Sequence, residues 1–303
     1  MRISCAAYSF REALTKREMS LSDFIRLCAE WGLDGVELTG YYFPDTNRAT
    51  LNALKRECFR CGLAVAGTAT RNHFTQPDAD ARKAEVEGVK QWIDIAVALG
   101  APMLRIFADR GIPQGYSERQ AYDWSRECIE QVLPYAEAQG VVLALETHWG
   151  LTADAERTLR YTRDINSPYF GILLDGANTR ENHYEMIEKL APHAVSVHAK
   201  THSRNLKDEF FELDYERVFR ILKAAGYRGY VAIEYEYTDP AMQAVPRFAR
   251  KLLALRDRLL HRDVEELERR IRRLEEAGYN LGLDPFALSL ALNSMVEETS
   301  RRW

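Results

Sequence analysis

The chain of 303 residues lacks the features that mark several large classes of protein. It has no excess of basic residues, since the formal net charge is -4, so no general attraction to nucleic acid or to acidic membranes is expected. No uninterrupted apolar run approaches the roughly 20 residues that a membrane helix needs. The opening segment, MRISCAAYSF, lacks the long apolar core of a secretory signal. We therefore expect a cytoplasmic protein that binds neither nucleic acid nor membrane.

Cysteine is also scarce, with five residues in the chain. An odd number at this low density is typical of a reducing compartment, not of a disulfide-linked scaffold. Cys58 and Cys61 form a single CxxC pair, which we interpret as core packing because no second pair accompanies it. A glycine-rich turn is missing after the first predicted strand, where the sequence is YSFR. This absence disfavours a dinucleotide-binding open sheet.

The sequence does contain a repeated alternation of apolar strands and amphipathic helices. Continuous runs rich in Val, Ile, Leu and Ala predict strands that are covered on both faces. Eight such runs lie at residues 3–8, 35–38, 63–68, 103–107, 141–146, 170–175, 194–199 and 230–234. Helix starts are indicated between them by potential caps at Ser20, Ser117 and Asp214. Eight units in about 260 residues predict an α/β fold, a (β/α)₈ TIM barrel, with a doubly wound open sheet as the alternative.

Residues 262–303 fall outside these eight units. Four apolar residues at 3-4-3 spacing predict one apolar helix face: Val264, Leu267, Ile271 and Leu274. A second apolar stretch at 286–295 predicts another helix. We therefore divide the chain into a barrel at 1–261 and a C-terminal helical extension at 262–303. The extension either folds onto the outside of the barrel or forms a homo-oligomer through its helices.

Four side chains of the kind that bind metals occupy the carboxyl ends of the last four predicted strands. They are Glu146 (LALETHWG), Asp175 (GILLDGAN), His198 (VSVHAK) and Glu234 (VAIEYE). In a barrel of this type the carboxyl ends of the strands meet at one mouth, where catalytic groups lie. Two carboxylates about 4 Å apart there repel by roughly 4 kcal/mol at an effective dielectric near 20, and no cluster of Lys and Arg is evident to neutralise them. The set therefore predicts one divalent metal ion, Mn²⁺ or Mg²⁺ before Co²⁺ or Zn²⁺.

The order and spacing of these four residues resemble the sugar phosphate isomerase/epimerase superfamily, which has a xylose isomerase-like TIM barrel. Its members include ketose 3-epimerases, hydroxypyruvate isomerase and inosose dehydratase. The resemblance covers about residues 1–260 and implies that the four residues bind one divalent metal, commonly manganese. It also implies that Glu146 and Glu234 are the catalytic acid/base pair and that Arg204 contacts the substrate or a glutamate.

Two positions depart from the ketohexose epimerases of that superfamily. Asn178 stands where those enzymes usually carry a substrate-binding histidine, and Thr152 stands where they carry another glutamate. The segments HAK at 198–200 and EYEYTDP at 234–240 are more similar to the inosose dehydratase branch. The resemblance therefore implies a metal-dependent sugar isomerase or epimerase, with a dehydratase or lyase that uses the same enolisation as the alternative.

Further polar residues near the predicted mouth are candidate contacts for a small sugar or keto-sugar substrate. They are His73, Arg105, His148, Asn178, Lys200, His202 and Arg204. Arg105 lies inside the fourth strand, where an unpaired guanidinium is costly. Glu37, inside the second strand, is a candidate ion-pair partner for it. Trp149 and Tyr41 are candidates for an apolar wall against a sugar ring.

Such a site supports enolisation of a keto-sugar. A metal that chelates a carbonyl and a neighbouring hydroxyl stabilises the enediolate, one carboxylate removes the proton and the other returns it. Return to the opposite face gives an epimer, return at the next carbon gives an isomer, and loss of a β-hydroxyl gives dehydration. Two other classes remain open: an endonuclease acting at abasic sites on the same barrel, and a non-catalytic sugar-binding barrel or subunit.

Overall fold

The computed structural model describes residues 1–179 and 182–276. Its first compact unit, Met1–Phe248, is built on a closed barrel of eight parallel strands. In chain order the strands are β1 (Arg2–Ala6), β2 (Gly35–Thr39), β3 (Ala64–Ala69), β4 (Met103–Ile106), β5 (Val142–Glu146), β6 (Phe170–Asp175), β7 (Ala194–Ala199), β8 (His202–Arg204), β9 (Phe210–Glu212) and β10 (Tyr230–Ile233). Strands β8 and β9 form a separate hairpin, and β1 pairs with β10 to close the ring. The predicted TIM barrel is confirmed.

Helices alternate with the barrel strands, and their ends carry the predicted caps. The helices are α1 (Arg11–Thr15), α2 (Leu21–Glu30), α3 (Arg48–Arg60), α4 (Ala79–Leu99), α5 (Glu118–Gln139), α6 (Ala155–Ile165), α7 (His183–Leu190), α8 (Tyr215–Ala224) and α9 (Ala241–Glu276). Ser20 and Ser117 each form a capping box at the start of α2 and α5. Asp214 accepts hydrogen bonds from two backbone N–H groups at the start of α8. Each cap satisfies backbone donors that have no partner within the helix.

The strands are continuously apolar because both of their faces are covered. All six residues of β6 and all five residues of β2 are buried. Inside the barrel, Met103, Ala144 and Leu173 belong to one buried cluster. Gly67 on β3 makes room for that cluster, since a Cβ atom there would lie 2.2 Å from Met103 Cε. The barrel interior is therefore a packed core that supports the mouth from below.

The strand pairs β6–β7 and β2–β3 each contain a one-residue register shift near the barrel mouth. Between β6 and β7, Ile172 pairs with Ala194, but the next pair skips one residue, and Asp175 then lies opposite His198. A similar shift between β2 and β3 places Glu37 opposite Gly67. A shift of one residue reverses which side of the sheet a side chain faces relative to its neighbour. The shifts therefore determine which polar residues become neighbours on adjacent strands.

The structure differs from the sequence prediction at two places near the mouth. Strand β1 ends at Ala6, and residues 7–10 form a 3₁₀ turn held by Ser9, whose hydroxyl donates to Ile233 O at 3.0 Å. The hairpin of β8 and β9 was not predicted, because strands of three residues are too short to show a period. Ser203 in this hairpin donates its hydroxyl to Ala177 O at 2.7 Å, which ties the hairpin to the loop after β6.

A second compact unit begins at Ala249, inside α9. Helix α9 continues through residues 262–276 of the predicted extension. The predicted helix at 286–295 lies outside the described residues, and the boundary at 261/262 and the homo-oligomer stay predictions. In the described part of the chain, no helix combines the length and apolar character needed to cross a bilayer.

Candidate metal centre and active-site pocket

Four residues from four neighbouring strands meet at the mouth of the barrel. One ligand atom from each of Glu146, Asp175, His198 and Glu234 lies within 4.8 Å of the other three. Glu146 and Asp175 end β5 and β6, His198 is the penultimate residue of β7, and Glu234 follows β10 directly. All four side chains are at most 7 % exposed. The structure thus brings together the four residues that the strand ends predicted, and their role as ligands stays a prediction.

The donor atoms of this four-residue cluster fit a divalent cation. Glu146 Oε2, Asp175 Oδ2 and His198 Nδ1 are buried and have no hydrogen-bond partner among the described residues. Asp175 Oδ2 does lie 2.9 Å from Lys200 Nζ, but that contact lacks hydrogen-bond angles. An unsatisfied buried polar atom costs about 1–3 kcal/mol. A cation held by these atoms and Glu234 would remove that cost, and three carboxylates with one imidazole suit Mn²⁺ or Mg²⁺.

Two permanent cations, Arg105 and Lys200, offset part of the negative charge at strand ends where no neutralising cluster of Lys and Arg was expected. Arg105 Nε lies 3.2 Å from Glu146 Oε2. Lys200 Nζ lies 3.2 Å from Glu234 Oε2 and 2.6 Å from Glu236 Oε2. Carboxylates still outnumber these cations by five to two within the described residues: Glu37, Glu146, Asp175, Glu234 and Glu236 against Arg105 and Lys200. This excess of negative charge favours the binding of a divalent cation.

Glu37 pairs with His198 and not with Arg105, which corrects the partner expected from the sequence. His198 Nε2 lies 3.1 Å and 3.3 Å from the two carboxylate oxygens of Glu37. On the other side of the ring, Nδ1 lies 3.3 Å from Glu234 Oε2. Burial would lower the pKa of His198, but the charges of Glu234 and Glu37 outweigh it and hold that pKa well above its usual value, so both ring nitrogens are protonated in the metal-free site. If a cation displaces the Nδ1 proton, Nε2 still donates to Glu37 and the lone pair of Nδ1 faces the cluster. Glu37 is therefore placed to orient a candidate ligand.

Burial and neighbouring charges set the two glutamates of the predicted acid/base pair apart. Burial raises the pKa of Glu146 to about 7, although Arg105 acts in the opposite direction. Burial would also raise the pKa of Glu234, but the positive charges of His198 and Lys200 outweigh it and hold that pKa well below its usual range. Two nearby carboxylates with different protonation are the pattern expected of an acid and a base.

A pocket of about 140 Å³ opens onto Glu146 and Glu234. Asp175 and His198 do not line it, because they lie deeper. The other lining residues are Tyr8, Tyr41, Arg71, Arg105, Phe107, Asp109, Arg110, His148, Trp149, Lys200 and Glu236. A larger cavity of about 650 Å³ shares His148 and Trp149 with it but does not include the clustered carboxylates. The smaller pocket is therefore the candidate substrate site.

His148 enters this pocket as a neutral imidazole. Burial lowers the pKa of His148 to about 3, and Lys200 and Arg105 act in the same direction. Its backbone N–H donates to Thr152 Oγ1 at 3.0 Å, and that hydroxyl donates in turn to Glu146 O at 3.1 Å. Thr152, where the ketohexose epimerases carry a glutamate, therefore fixes the loop that carries His148.

Asn178 lies between Glu146 and Lys200. Its side-chain N–H₂ donates to Thr147 O at 3.0 Å and lies 3.4 Å from Glu146 Oε1. Its Oδ1 accepts from Lys200 Nζ at 2.9 Å. Lys200, Asn178 and Arg105 thus lie at the cluster, as the sequence predicted.

The structure does not bring His73, His202 or Arg204 into the lining of the pocket. The backbone N–H of His73 donates to Glu85 at 3.0 Å. His202 stacks on Tyr237 with ring centroids 3.6 Å apart. Arg204 is exposed on the hairpin, where it pairs with Asp208 at 2.8 Å. A contact between Arg204 and a cluster glutamate, which the resemblance implied, is therefore not present, because the unpredicted hairpin carries Arg204 into solvent.

Several lining residues of the pocket escaped prediction from the sequence, among them Tyr8, Arg71, Phe107, Asp109 and Arg110. Arg71 and Arg110 follow β3 and β4 closely, and position after a barrel strand was the signal that could have found them. Tyr8 was assigned to the first strand and instead lies in the turn after it.

Comparison with known proteins places the chain among barrels of one architecture. No curated protein matches the sequence. A D-tagatose 3-epimerase-like protein matches with a TM-score of 0.69 at 20% identity, over 86% of this chain and 100% of that one. A 3-keto-D-glucoside 4-epimerase from E. coli matches with a TM-score of 0.67 at 17% identity, over 84% and 99%. A probable 3-DHS dehydratase from Bacillus anthracis matches with a TM-score of 0.66 at 17% identity, over 84% and 99%.

At these identities the solved structures show the shared fold, and the family match rests on the sequence. A family model described as a xylose isomerase-like TIM barrel matches residues 25–258. This range includes β2 to β10 and all four residues of the cluster. The resemblance drawn from the strand ends is confirmed: the chain belongs to the xylose isomerase-like TIM barrel family.

Proposed function

We propose that the protein is a divalent-metal-dependent isomerase or epimerase that enolises a small keto-sugar or inosose-type substrate. One observation carries the proposal: four buried residues present ligand atoms within 4.8 Å of one another at the floor of a pocket. Barrels of one fold host many chemistries, so the site and not the fold supports this function.

Glu146, Asp175, His198 and Glu234 would hold the ion, and Mn²⁺ is the ion we propose, with Mg²⁺, Co²⁺ and Zn²⁺ as substitutes. A bound divalent ion would supply Lewis-acid stabilisation of the negative charge that develops on the substrate oxygens. Asp175 and His198 lie deeper than the pocket and only hold the ion. Glu146 and Glu234 also line the pocket, so they reach the substrate.

We assign proton transfer to the two pocket glutamates. Glu234 is ionised over the physiological range because its pKa is held well below the usual value, so it removes the proton next to the carbonyl. Glu146 ionises when it binds the ion, so the proton that it returns to the substrate is first taken up from solvent. Burial, which raises the pKa of its carboxyl to about 7 in the metal-free site, favours that uptake. Lys200 Nζ lies 3.2 Å from Glu234 Oε2, and Asn178 Nδ2 lies 3.4 Å from Glu146 Oε1. These contacts fix the orientation of the two carboxylates.

The proposal is tested by exchange of carbon-bound hydrogen with solvent. Protein loaded with Mn²⁺ is incubated in D₂O with a panel of ketoses and inososes, and deuterium incorporation is followed by NMR. We expect exchange that EDTA abolishes and that Mn²⁺ restores. Thr39→Val serves as a control variant that leaves the pocket glutamates in place. Undiminished exchange after complete removal of metal would contradict the proposal, and binding of a sugar without exchange would favour a non-catalytic barrel.

A dehydratase is the second candidate, and one structural neighbour favours it. The matching protein from Bacillus anthracis is named as a probable dehydratase. The same proton removal by Glu234 leads to dehydration when a β-hydroxyl leaves, with Glu146 as its proton donor. The product distinguishes the two: an enone absorbs in the ultraviolet and has lost one water, whereas an epimer or isomer keeps the mass of the substrate.

A further inference from the structure

Two arginines at the rim of the pocket carry charge that the protein does not neutralise. Arg71 and Arg110 both line the pocket that opens onto Glu146 and Glu234, and both are exposed. Arg71 lies just past β3, and Arg110 lies just past β4. Neither guanidinium forms an ion pair with any carboxylate in the part of the chain that the structure describes.

Arg71 is held in place by an aromatic ring and not by an anion. Its guanidinium carbon lies 4.4 Å from the centroid of the Tyr41 ring. That ring is fixed in turn, because the Tyr41 hydroxyl accepts from Arg105 at 3.2 Å and lies 3.4 Å from Thr70 O. A cation stacked on an aromatic face keeps its N–H donors at the edge of the plane available for a ligand.

Arg110 follows a carboxylate that is already fully engaged. Asp109 Oδ1 accepts the backbone N–H of Gly111 at 2.7 Å, and Oδ2 accepts the backbone N–H of Leu151 at 2.7 Å. Asp109 is 5% exposed and serves to join the loops after β4 and β5. The charge of Arg110 is felt at His73, where burial lowers the pKa of the imidazole and Arg110 lowers it further. Arg110 therefore acts as an uncompensated positive charge.

The inner wall of the pocket is organised in the opposite way. Arg105 pairs with Glu146, and Lys200 contacts Glu234 and Glu236. Each cation on the inner wall thus has a carboxylate beside it, while the two arginines of the outer rim form no ion pair with a described carboxylate. A neutral sugar could accept hydrogen bonds from these two groups but would leave their charge uncompensated. An anionic ligand would satisfy both guanidinium groups, whose planar donor sets match a carboxylate or a phosphate.

We propose that the substrate is an anionic keto-sugar, and that Arg71 and Arg110 bind its carboxylate or phosphate while the carbonyl end faces Glu146 and Glu234. This inference rests on the proposed function for the carbonyl end only. The pocket volume of about 140 Å³ equals roughly five water molecules at ~30 Å³ each, which limits the part enclosed to a small molecule.

The test is a binding comparison by isothermal titration calorimetry on the full chain loaded with Mn²⁺. The probes are D-glucuronate, D-glucose 6-phosphate and D-glucose, so that a carboxylate and a phosphate are each compared with the neutral sugar. The variants are Arg71→Gln and Arg110→Gln. Arg119→Gln is the matched control, because Arg119 is 85% exposed on α5 and makes only a 3.9 Å contact with Asp123.

We expect at least one anionic probe to bind about tenfold tighter than D-glucose, and each pocket variant to lose about tenfold of that affinity. Arg119→Gln should bind as the wild type does, and D-glucose should be insensitive to all three substitutions. The preferred anionic probe tells carboxylate from phosphate. Equal affinity for all three probes, or anion affinity unchanged in both pocket variants, would overturn the inference.

The two proposals fail in different ways. Anion binding that depends on Arg71 and Arg110, without hydrogen exchange on any keto-sugar, would contradict the proposed function and still support the anion site. Exchange on ketoses, together with affinity for D-glucuronate and D-glucose 6-phosphate that neither Arg71→Gln nor Arg110→Gln changes, would contradict the anion site and leave the proposed function intact.

Discussion

Substitution of Glu37 should weaken Mn²⁺ binding, although Glu37 is not one of the four ligands. The carboxylate contacts His198 Nε2 at 3.1 Å, and this contact leaves Nδ1 to face the cluster. In the variant Glu37→Leu the imidazole loses the acceptor that selects its protonated nitrogen and its ring orientation. We therefore expect the dissociation constant for Mn²⁺ to rise by about 10- to 100-fold, which is the usual effect of removing such a partner.

The free energy of unfolding should fall as well. Glu37 is 1% exposed and His198 is 2% exposed, so neither side chain can exchange its partner for water. Removing one member of a buried charged pair costs about 3–5 kcal/mol. The variant Glu37→Gln keeps an amide oxygen that accepts the Nε2 proton, so its loss of stability should stay near 1 kcal/mol and its loss of Mn²⁺ affinity should stay below tenfold.

The assay pairs Mn²⁺ titration, followed by electron paramagnetic resonance, with urea unfolding of the metal-free protein. Thr39→Val is the matched control, since Thr39 lies two residues along β2, is 1% exposed and has a hydroxyl with no hydrogen-bond partner among the described residues. That substitution should leave Mn²⁺ affinity unchanged. The ¹⁵N shifts of the His198 ring in Mg²⁺-loaded protein should show a proton on Nε2 in the wild type and in Glu37→Gln.

Equal Mn²⁺ affinity in the wild type, Glu37→Leu and Glu37→Gln would refute the reasoning. It would mean that the packing of β7 alone orients the imidazole. Loss of stability without loss of Mn²⁺ affinity would have the same meaning, because a purely structural role moves only the unfolding transition.

Three further predictions concern the two pocket glutamates, the pH dependence of Mn²⁺ binding, and Gly150. Glu146→Gln and Glu234→Gln should each lower the rate of hydrogen exchange by about 10²- to 10⁴-fold, measured by NMR in D₂O at saturating substrate. Burial raises the pKa of Glu146 to about 7, so this carboxyl must release a proton to bind metal, and Mn²⁺ affinity should fall as the pH falls below about 7 and level off above it. Calorimetry in buffers of different ionisation enthalpy should show the released proton. An Mn²⁺ affinity that does not change with pH would contradict the assignment. Gly150→Ala should destabilise the fold by about 1–3 kcal/mol in urea unfolding, since Gly150 has φ +60 and its Cβ would lie 2.5 Å from Asp109 Oδ1, whereas Gly88→Ala, at a helix position with open space, should not.

The barrel and the four-residue cluster were predictable because their signals are local. A strand covered on both faces must be apolar throughout, so the eight runs stand out from the helices between them. A charged or metal-binding residue at the end of such a run is conspicuous: Glu146, Asp175 and Glu234 each end or directly follow one, and His198 is the last residue but one of its strand. Parallel strands in a closed ring bring those ends to one mouth, so topology converts four separate signals into a single site.

The rest of the site depends on contacts that the local sequence does not encode. Glu37 on β2 pairs with His198 on β7 across the barrel mouth, with β1 and β10 between their strands, and no pattern in GVEL reveals this partner. Arg204 was expected at the mouth because the resemblance to the superfamily implied a contact there, but a short hairpin turns it outward. The sequence does not show that Arg71 and Arg110 line the pocket without an ion pair to any described carboxylate; that required the structure.

The tie between the hairpin and the loop after β6 bears on attempts to re-engineer this barrel. Ser203 is bonded to Ala177, and Lys200, just before the hairpin, is bonded to Asn178. Loop grafting between family members usually treats each strand-to-helix connection as an independent module. Here, replacing one connection alone would leave polar groups of the other without their hydrogen-bond partners. The two connections would therefore have to be replaced together.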